Sequence, residues 1–316
     1  MTYIPCLNQV QLGQEATFKT PQTPDILPAG LTNVVVTPKV ETEQIKTLAQ
    51  GTTMPAKYSY VTRRWSEFLV EGLLDYNRAM IWLDSLFTAD ASSPHTYKAD
   101  EDAAMTPKGM TMVFGQTGLI FQIAGMVVTD LKISGDNNGP WKYSAKGFAL
   151  PVTDGASLES LTEDVPELVH GYETALYMDE DLDSTIGTTA RSDVAFTFEA
   201  NISNGQSPVW HQGDQVWDSI RQGQWGGSYK IAMEADTTNL DSLGDVIDAA
   251  DTGKGFTIRQ QATDGTNTLK LDFAGIVANP PQLPSEKDGV VTVGLDMVPQ
   301  WNSVYDSCWG AELTIA

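Results

Sequence analysis

Along most of this chain apolar and polar positions alternate, the period expected of half-buried β-strands. Residues 57–71 carry Tyr58, Tyr60, Trp65 and Phe68 in such a pattern and predict a long strand. Residues 31–43 predict another, interrupted at Pro38. The period then changes: Leu73, Tyr76, Met80, Leu83 and Phe87 fall on one helical face and predict a helix over 73–87. Strands are expected at 110–113 and 119–132, a turn at 134–140, and a returning hairpin strand at 141–150. Further on, 194–202, 227–236, 256–261, 268–277 and 289–298 read as strands, and 311–316 closes the chain. Residues 214–221, with Val216, Trp217 and Ile220 on one side, read as a short helix, and 240–250 as a longer one.

The order of elements occurs twice. Phe121-Gln-Ile-Ala-Gly-Met-Val127 aligns with Leu271-Asp-Phe-Ala-Gly-Ile-Val277, an offset of 275 − 125 = 150. Upstream, Glu67-Phe-Leu-Val-Glu71 aligns with Lys230-Ile-Ala-Met-Glu234, an offset of 234 − 71 = 163. A polar turn follows the first pair of segments in both halves, 134–140 and 284–288. The reading is a duplicated β-plus-helix module, with length changes absorbed in loops. It divides the chain into a proline-bearing arm (1–30), irregular or loosely paired as an edge segment, a first module (31–150), an acidic linker without Lys or Arg (151–168) and a second module (169–316). The expected module core is Trp65, Phe68, Tyr76, Met80, Leu83, Phe87, Leu243, Ile247 and Phe273.

Charge narrows the class. There are 41 acids against 19 bases, a net of −22, so the chain repels nucleic acid at long range and is no DNA-gripping protein. Cys6 and Cys308 have no metal spacing, and no disulfide framework is expected. The opening residues lack a basic region followed by an apolar run, and no apolar run reaches membrane-spanning length, so neither a signal peptide nor a membrane partner is expected. His95, His170 and His211 stand apart and read as polar surface residues. No phosphate-cradling or nucleophile motif is present; Gln222-Gly-Gln-Trp-Gly-Gly227 reads as a turn. The acids of 179–183 could serve a hard cation but lack an EF-hand's glycine and distal glutamate, and a solvated acidic face is the better reading. No cofactor, metal or enzymatic activity is expected.

The arm carries Gly13-Gln-Glu15-Ala-Thr-Phe18-Lys-Thr20, a strand-loop-strand follows, then one amphipathic helix, then His95-Thr-Tyr97, then Gly125-Met-Val-Val-Thr-Asp-Leu-Lys-Ile-Ser134. In that order these segments resemble the tail tube (major tail) proteins of siphophages. The resemblance implies a mainly β chain: a tail-tube-type antiparallel β-sandwich or barrel with one flanking α-helix, here duplicated in tandem. It implies a virion structural protein, assembled in the host bacterial cytoplasm and located in the tail. Such subunits stack in rings into a hollow channel for DNA ejection, which the acid excess of this chain would make a negatively charged one. The partners implied are the chain itself, the tape measure protein and the tail terminator or distal tail proteins, with double-stranded DNA passing without adhering. Two modules per chain favour a trimeric, pseudo-sixfold ring over a hexamer. Candidate acids of the channel are Asp130, Asp136 and Asp288; candidate inter-ring contacts are Tyr3, Phe18, Thr47 and Met54. The alternatives are another tail ring (distal tail or terminator) or a carbohydrate-binding, adhesin-like β-sandwich; a carboxylate-pair hydrolase is a further one.

Overall fold

The computed structural model describes residues 8–28, 30–45, 58–88, 90, 92–100, 105–116, 118–162, 165–191, 196–234, 255–279, 282–287 and 290–315. These residues are mainly β-structure. In chain order the elements are β1 (Gln9–Gln14), β2 (Leu31–Ile45), β3 (Tyr58–Leu73), α1 (Tyr76–Leu86), β4 (His95–Lys98), β5 (Met110–Gln116), β6 (Leu119–Asp136), β7 (Lys142–Ala149), β8 (Thr153–Asp154), β9 (Thr174–Asp179), β10 (Ala190–Arg191), β11 (Phe196–Ser203), β12 (Ser207–Val209), β13 (Ser219–Arg221), β14 (Gly226–Glu234), β15 (Gly255–Thr263), β16 (Thr268–Val277), β17 (Gln282–Lys287), β18 (Val290–Pro299) and β19 (Trp309–Thr314). No helix among the described residues is long and apolar enough to cross a membrane.

All ladders between these strands are antiparallel, and most of them fall into two sets wired in the same order. The first runs β1–β5–β6–β7–β3–β2. The second runs β9–β15–β16–β18–β14–β11. β8 joins β6 beside β7, and β19 joins β16 beside β18. The sets meet where β6 pairs with β11, from Asp136↔Thr197 to Asp130↔Ser203. Eight strands therefore lie side by side: β2, β3, β7, β6, β11, β14, β18 and β17.

Side chains alternate across this sheet as the strand period requires. Val70, Ala145, Leu131, Ala200, Tyr229, Ile231 and Leu295 face inward and are buried in one core that draws on both halves of the chain. Phe68, Tyr76, Leu83, Phe87 and Phe273 lie in that core, and Met80 packs half-buried against it. Trp65 belongs instead to a smaller cluster with Val127, Phe148 and Trp217. Leu243 and Ile247, with the helix expected over 240–250, fall outside the described residues.

α1 starts at Tyr76, three residues later than its periodicity predicts. Leu73 ends β3, and Leu74 is tied to the backbone of Trp141 and Val169. Asp75 caps the helix by accepting the Arg78 amide at 3.2 Å.

Several expectations need correction. β2 continues through Pro38, which stands opposite Ser66; β2 pairs with β3 alone, and an edge strand tolerates a missing donor. Of the two forms open to the arm, residues 9–14 take the paired one, as a strand against β5, although not a loose one, since Gln11, Leu12 and Gly13 are buried. Residues 214–221 are not helical, because Trp217 is drawn into the cluster beneath Phe148. The turn expected at 284–288 is largely β17, held by its ladder to β18. Residues 151–168 pack on the first half: the Gln11 amide exchanges two 2.8 Å hydrogen bonds with the backbone of Glu159, and Leu168 bridges to Asp75.

Candidate assembly surfaces

A sheet of eight strands has two outer edges, here β2 and β17. Each carries a proline, Pro38 and Pro284, which limits indiscriminate edge pairing. The registers show how these edges relate to the internal joint. Val34↔Val70 and Val36↔Phe68 in the first set match Phe198↔Ile231 and Ala200↔Tyr229 in the second, so β2 corresponds to β11 with 198 − 34 = 164. Ser134↔Lys142 matches Ser285↔Thr292, so the distal part of β6 corresponds to β17 with 285 − 134 = 151. The two outer edges are thus the counterparts of the two strands that already pair inside the chain.

The bends of β6 and β16 also agree. Leu150 donates its amide to the Ala124 carbonyl at 2.9 Å, and Gln300 to that of Ala274 at 3.0 Å, both 150 residues apart. The β3 and β14 registers relate Val70 to Ile231, an offset of 231 − 70 = 161. This differs by two from the sequence alignment and so keeps the same face inward.

The face turned away from the core is polar. Asp130 lies on it, exposed, opposite Lys146 on β7. Around it, Lys132 pairs with Glu199 across the β6–β11 joint at 2.5 Å, Lys230 with Asp296 at 3.6 Å, and Lys39 with Glu67 at 3.0 Å. Lys132 and Asn201 hold the Glu199 carboxyl below the ordinary carboxylate range. This face therefore carries both signs of charge in neighbouring strands, whereas the chain as a whole has a net charge of −22. Asp136 does not stand free on it; its carboxylate accepts the amides of Asn138 and Gly139 and closes the turn to β7. Asp288 falls outside the described residues.

Of the candidate inter-ring residues, Tyr3, Thr47 and Met54 are outside the described residues. Phe18 is taken up within the chain, its ring 5.9 Å from that of Trp217. The motif containing it has a structural role that its sequence did not reveal. Glu15 is buried and its carboxylate accepts the amides of Gly125 and Lys19 at 2.7 Å and the Thr111 hydroxyl at 2.9 Å. Burial raises its carboxyl above the ordinary range despite those donors.

The groups considered for chemistry are dispersed. His95 bonds to the Asp90 carbonyl, His170 stacks on Tyr172, and His211 pairs with Asp218 at 2.9 Å on the surface. In the acidic run, Asp179 accepts from Thr188 and Thr189, Asp183 from Ser303, and Glu180 pairs with Arg191. These carboxylates diverge onto protein donors. No group of three His, Cys, Asp or Glu side chains that could hold a metal occurs among the described residues. Trp82, Trp141, Trp217 and Trp309 are buried.

No known protein family and no curated protein matches this chain.

Proposed function

We propose that this chain is a subunit of a bacteriophage tail tube, built from two tandem copies of one module, that closes head to tail into rings and stacks into a conduit for DNA. The observation that carries this reading is the β6–β11 joint. A duplicated chain whose halves join by that ladder presents the same two strand edges, β17 and β2, at its ends. Repeating the internal joint between chains satisfies both edges. A heterologous contact of this kind forms a ring when its rotation closes, and three chains would supply six modules.

The same reading makes the polar face of the eight-stranded sheet the lining of the channel. Three of its lysines, Lys39, Lys132 and Lys230, pair with carboxylates on adjacent strands, so a phosphate backbone passing close by meets these cations already paired. The excess negative charge of the chain would then lie mainly on other surfaces, a revision of the acid-lined channel expected from composition.

The deciding experiment is negative-stain electron microscopy of the purified protein over a concentration series. Rings or hollow tubes, with threefold order in class averages, are the expected result. Monomers at every concentration would sink the reading and bring forward a binding module. Closed rings that never stack would point to a terminal tail ring.

A further inference from the structure

We propose that Asn138, in the turn between β6 and β7, is a self-modification site: its side chain loses ammonia to the Gly139 nitrogen at a rate set by opening of the turn, and the chain thereby ages where its two halves join. The inference rests on contacts within one chain and stands apart from the tube reading.

Asparagine is a chemically labile side chain. A following glycine leaves the attack least hindered, because the Cα beside the attacking nitrogen carries no side chain. The reaction is intramolecular and needs only a near-attack geometry. The Gly139 nitrogen bonds to Cγ of Asn138 and its proton leaves to water. The Cγ–Nδ2 bond breaks, and the departing nitrogen takes a proton from water and leaves as ammonia. Water then opens the cyclic imide at either carbonyl, giving aspartate or isoaspartate at 138. Either product carries one more negative charge than the asparagine.

The chain contains this dipeptide twice, at Asn138-Gly139 and Asn204-Gly205, and the fold treats the two oppositely. Asn204 is wholly buried. Its amide nitrogen donates to the carbonyls of Leu86 and Val128 at 2.9 and 3.0 Å, and its oxygen accepts the Gln206 amide at 3.0 Å. Gly205 is equally fixed; it sits at φ +62°, and a Cβ there would lie 2.6 Å from the Gln224 carbonyl oxygen. Cγ of Asn204 cannot turn onto the Gly205 nitrogen without leaving those buried partners unsatisfied.

Asn138 is exposed. Its restraint comes from Asp136, whose Oδ1 accepts the Asn138 amide at 2.9 Å and the Gly139 amide at 2.7 Å. While the second bond holds, the attacking nitrogen keeps its proton and its place. Asp136 is thus a positioning residue, a latch on the reaction. The site also has a structural consequence. The β6–β11 ladder ends at Asp136↔Thr197, the Gly139 carbonyl accepts the Gly171 amide at 2.9 Å, and Pro140 bridges to His170. Isoaspartate would lengthen the main chain between 138 and 139 by one methylene, at the point where those ties converge.

Peptide mass spectrometry of the folded, full-length protein, sampled over time in mildly alkaline buffer, reads each site separately. Replacement of NH by O is expected at Asn138 and not at Asn204, whereas both should react in denaturing urea. Asp136→Ala should speed the reaction at Asn138 by about tenfold, from losing a hydrogen bond to a charged acceptor. Gly139→Ala should slow it several-fold; Gly139 has no left-handed φ, and its Cβ would lie 3.3 Å from Asp136 Oδ1, so this variant tests the attack even where Asp136→Ala fails to fold. Hydrogen exchange over 134–142 and 197–199 should quicken several-fold in the isoaspartate fraction and stay as wild type in Asn138→Asp, which gains the charge without the methylene. No conversion at Asn138, or equal conversion at Asn204 in the folded protein, would overturn the site. A slower reaction in Asp136→Ala would overturn the latch, and wild-type exchange in the isoaspartate fraction would overturn the effect on the joint.

Discussion

The Glu15 carboxylate accepts the Gly125 amide at 2.7 Å, at the point where β6 turns from β5 toward β7. Gly125 sits at φ +60°, and a Cβ there would meet Lys19 and Leu150 at 3.1 and 3.3 Å. One arm residue thus fixes the bend on which the eight-stranded sheet depends. In Glu15→Gln one oxygen is replaced by a donor among donors, and the loss should be about 1–3 kcal/mol. Gly125→Ala should cost about 1–2 kcal/mol from the left-handed backbone alone. Urea unfolding of both variants reads these losses; wild-type midpoints would refute the role assigned to Glu15.

Arg259 and Asp272 form a bidentate pair at 2.6 and 2.8 Å, with Asp272 almost wholly buried. Removing one partner strands the other, and Asp272→Ala should destabilise by about 3–5 kcal/mol. The double change Arg259→Met with Asp272→Leu should recover much of that loss. Equal destabilisation in the single and double variants would show that the pair itself is not the cause.

On the proposed head-to-tail closure, the internal joint sets the register of the joint between chains. Glu199 stands opposite Ser134, which transfers to Val35 opposite Ser285 of a neighbour by the 164 and 151 offsets. Val35→Cys with Ser285→Cys, after oxidation, should yield covalent dimers and trimers on non-reducing gels. Ser134→Cys with Glu199→Cys should cross-link within one chain as a control. Cross-linking in the control alone would count against head-to-tail closure.

Asp179 gives a pH-dependent signal. Burial alone would raise its carboxyl, but the donors of Thr188 and Thr189 outweigh burial and hold it below the ordinary range. A depressed folded-state value means that the stability it contributes is present above the unfolded carboxylate pKa and is lost as pH falls through the folded one. Acidification should therefore release residues 180–189 earlier than the sheet, read by exchange at several pH values. Asp179→Asn should flatten that dependence; an unaltered acid response would exclude this carboxylate as its source. Glu15, raised by burial, acts with the opposite sign.

Local pattern and tertiary demand divide what could be read from the residues. The β16 bounds, 268–277, match the alternation of apolar positions, and α1 follows its stripe apart from the three residues taken by β3 and the Trp141 contact. Pro284, Ser285 and Glu286 have turn chemistry, yet β18 recruits them into a strand. Residues 214–221 have helical spacing, yet Trp217 is worth more beneath Phe148 than on a helix. Asp130 could be placed beside a hairpin from its position in the chain. Its facing lysine, Lys146, depends on the β6 bulge between Val128 and Asp130, which spacing does not reveal. Glu15 looked like one more acid of 41, and only the fold shows that it is buried.

β4 of the first half is completed by β19, with His95 opposite Leu313. The partners are 313 − 95 = 218 residues apart, so during synthesis the early strand waits a long time for the late one. Contacts this distant in sequence form slowly, and β17, one of the two outer sheet edges, is also made late. A nascent chain therefore displays β2 before it possesses its own second outer edge, β17. On the proposed head-to-tail closure, polymerisation would be deferred until translation has passed β17, and a truncated product ending before it would cap a growing ring but could not extend one.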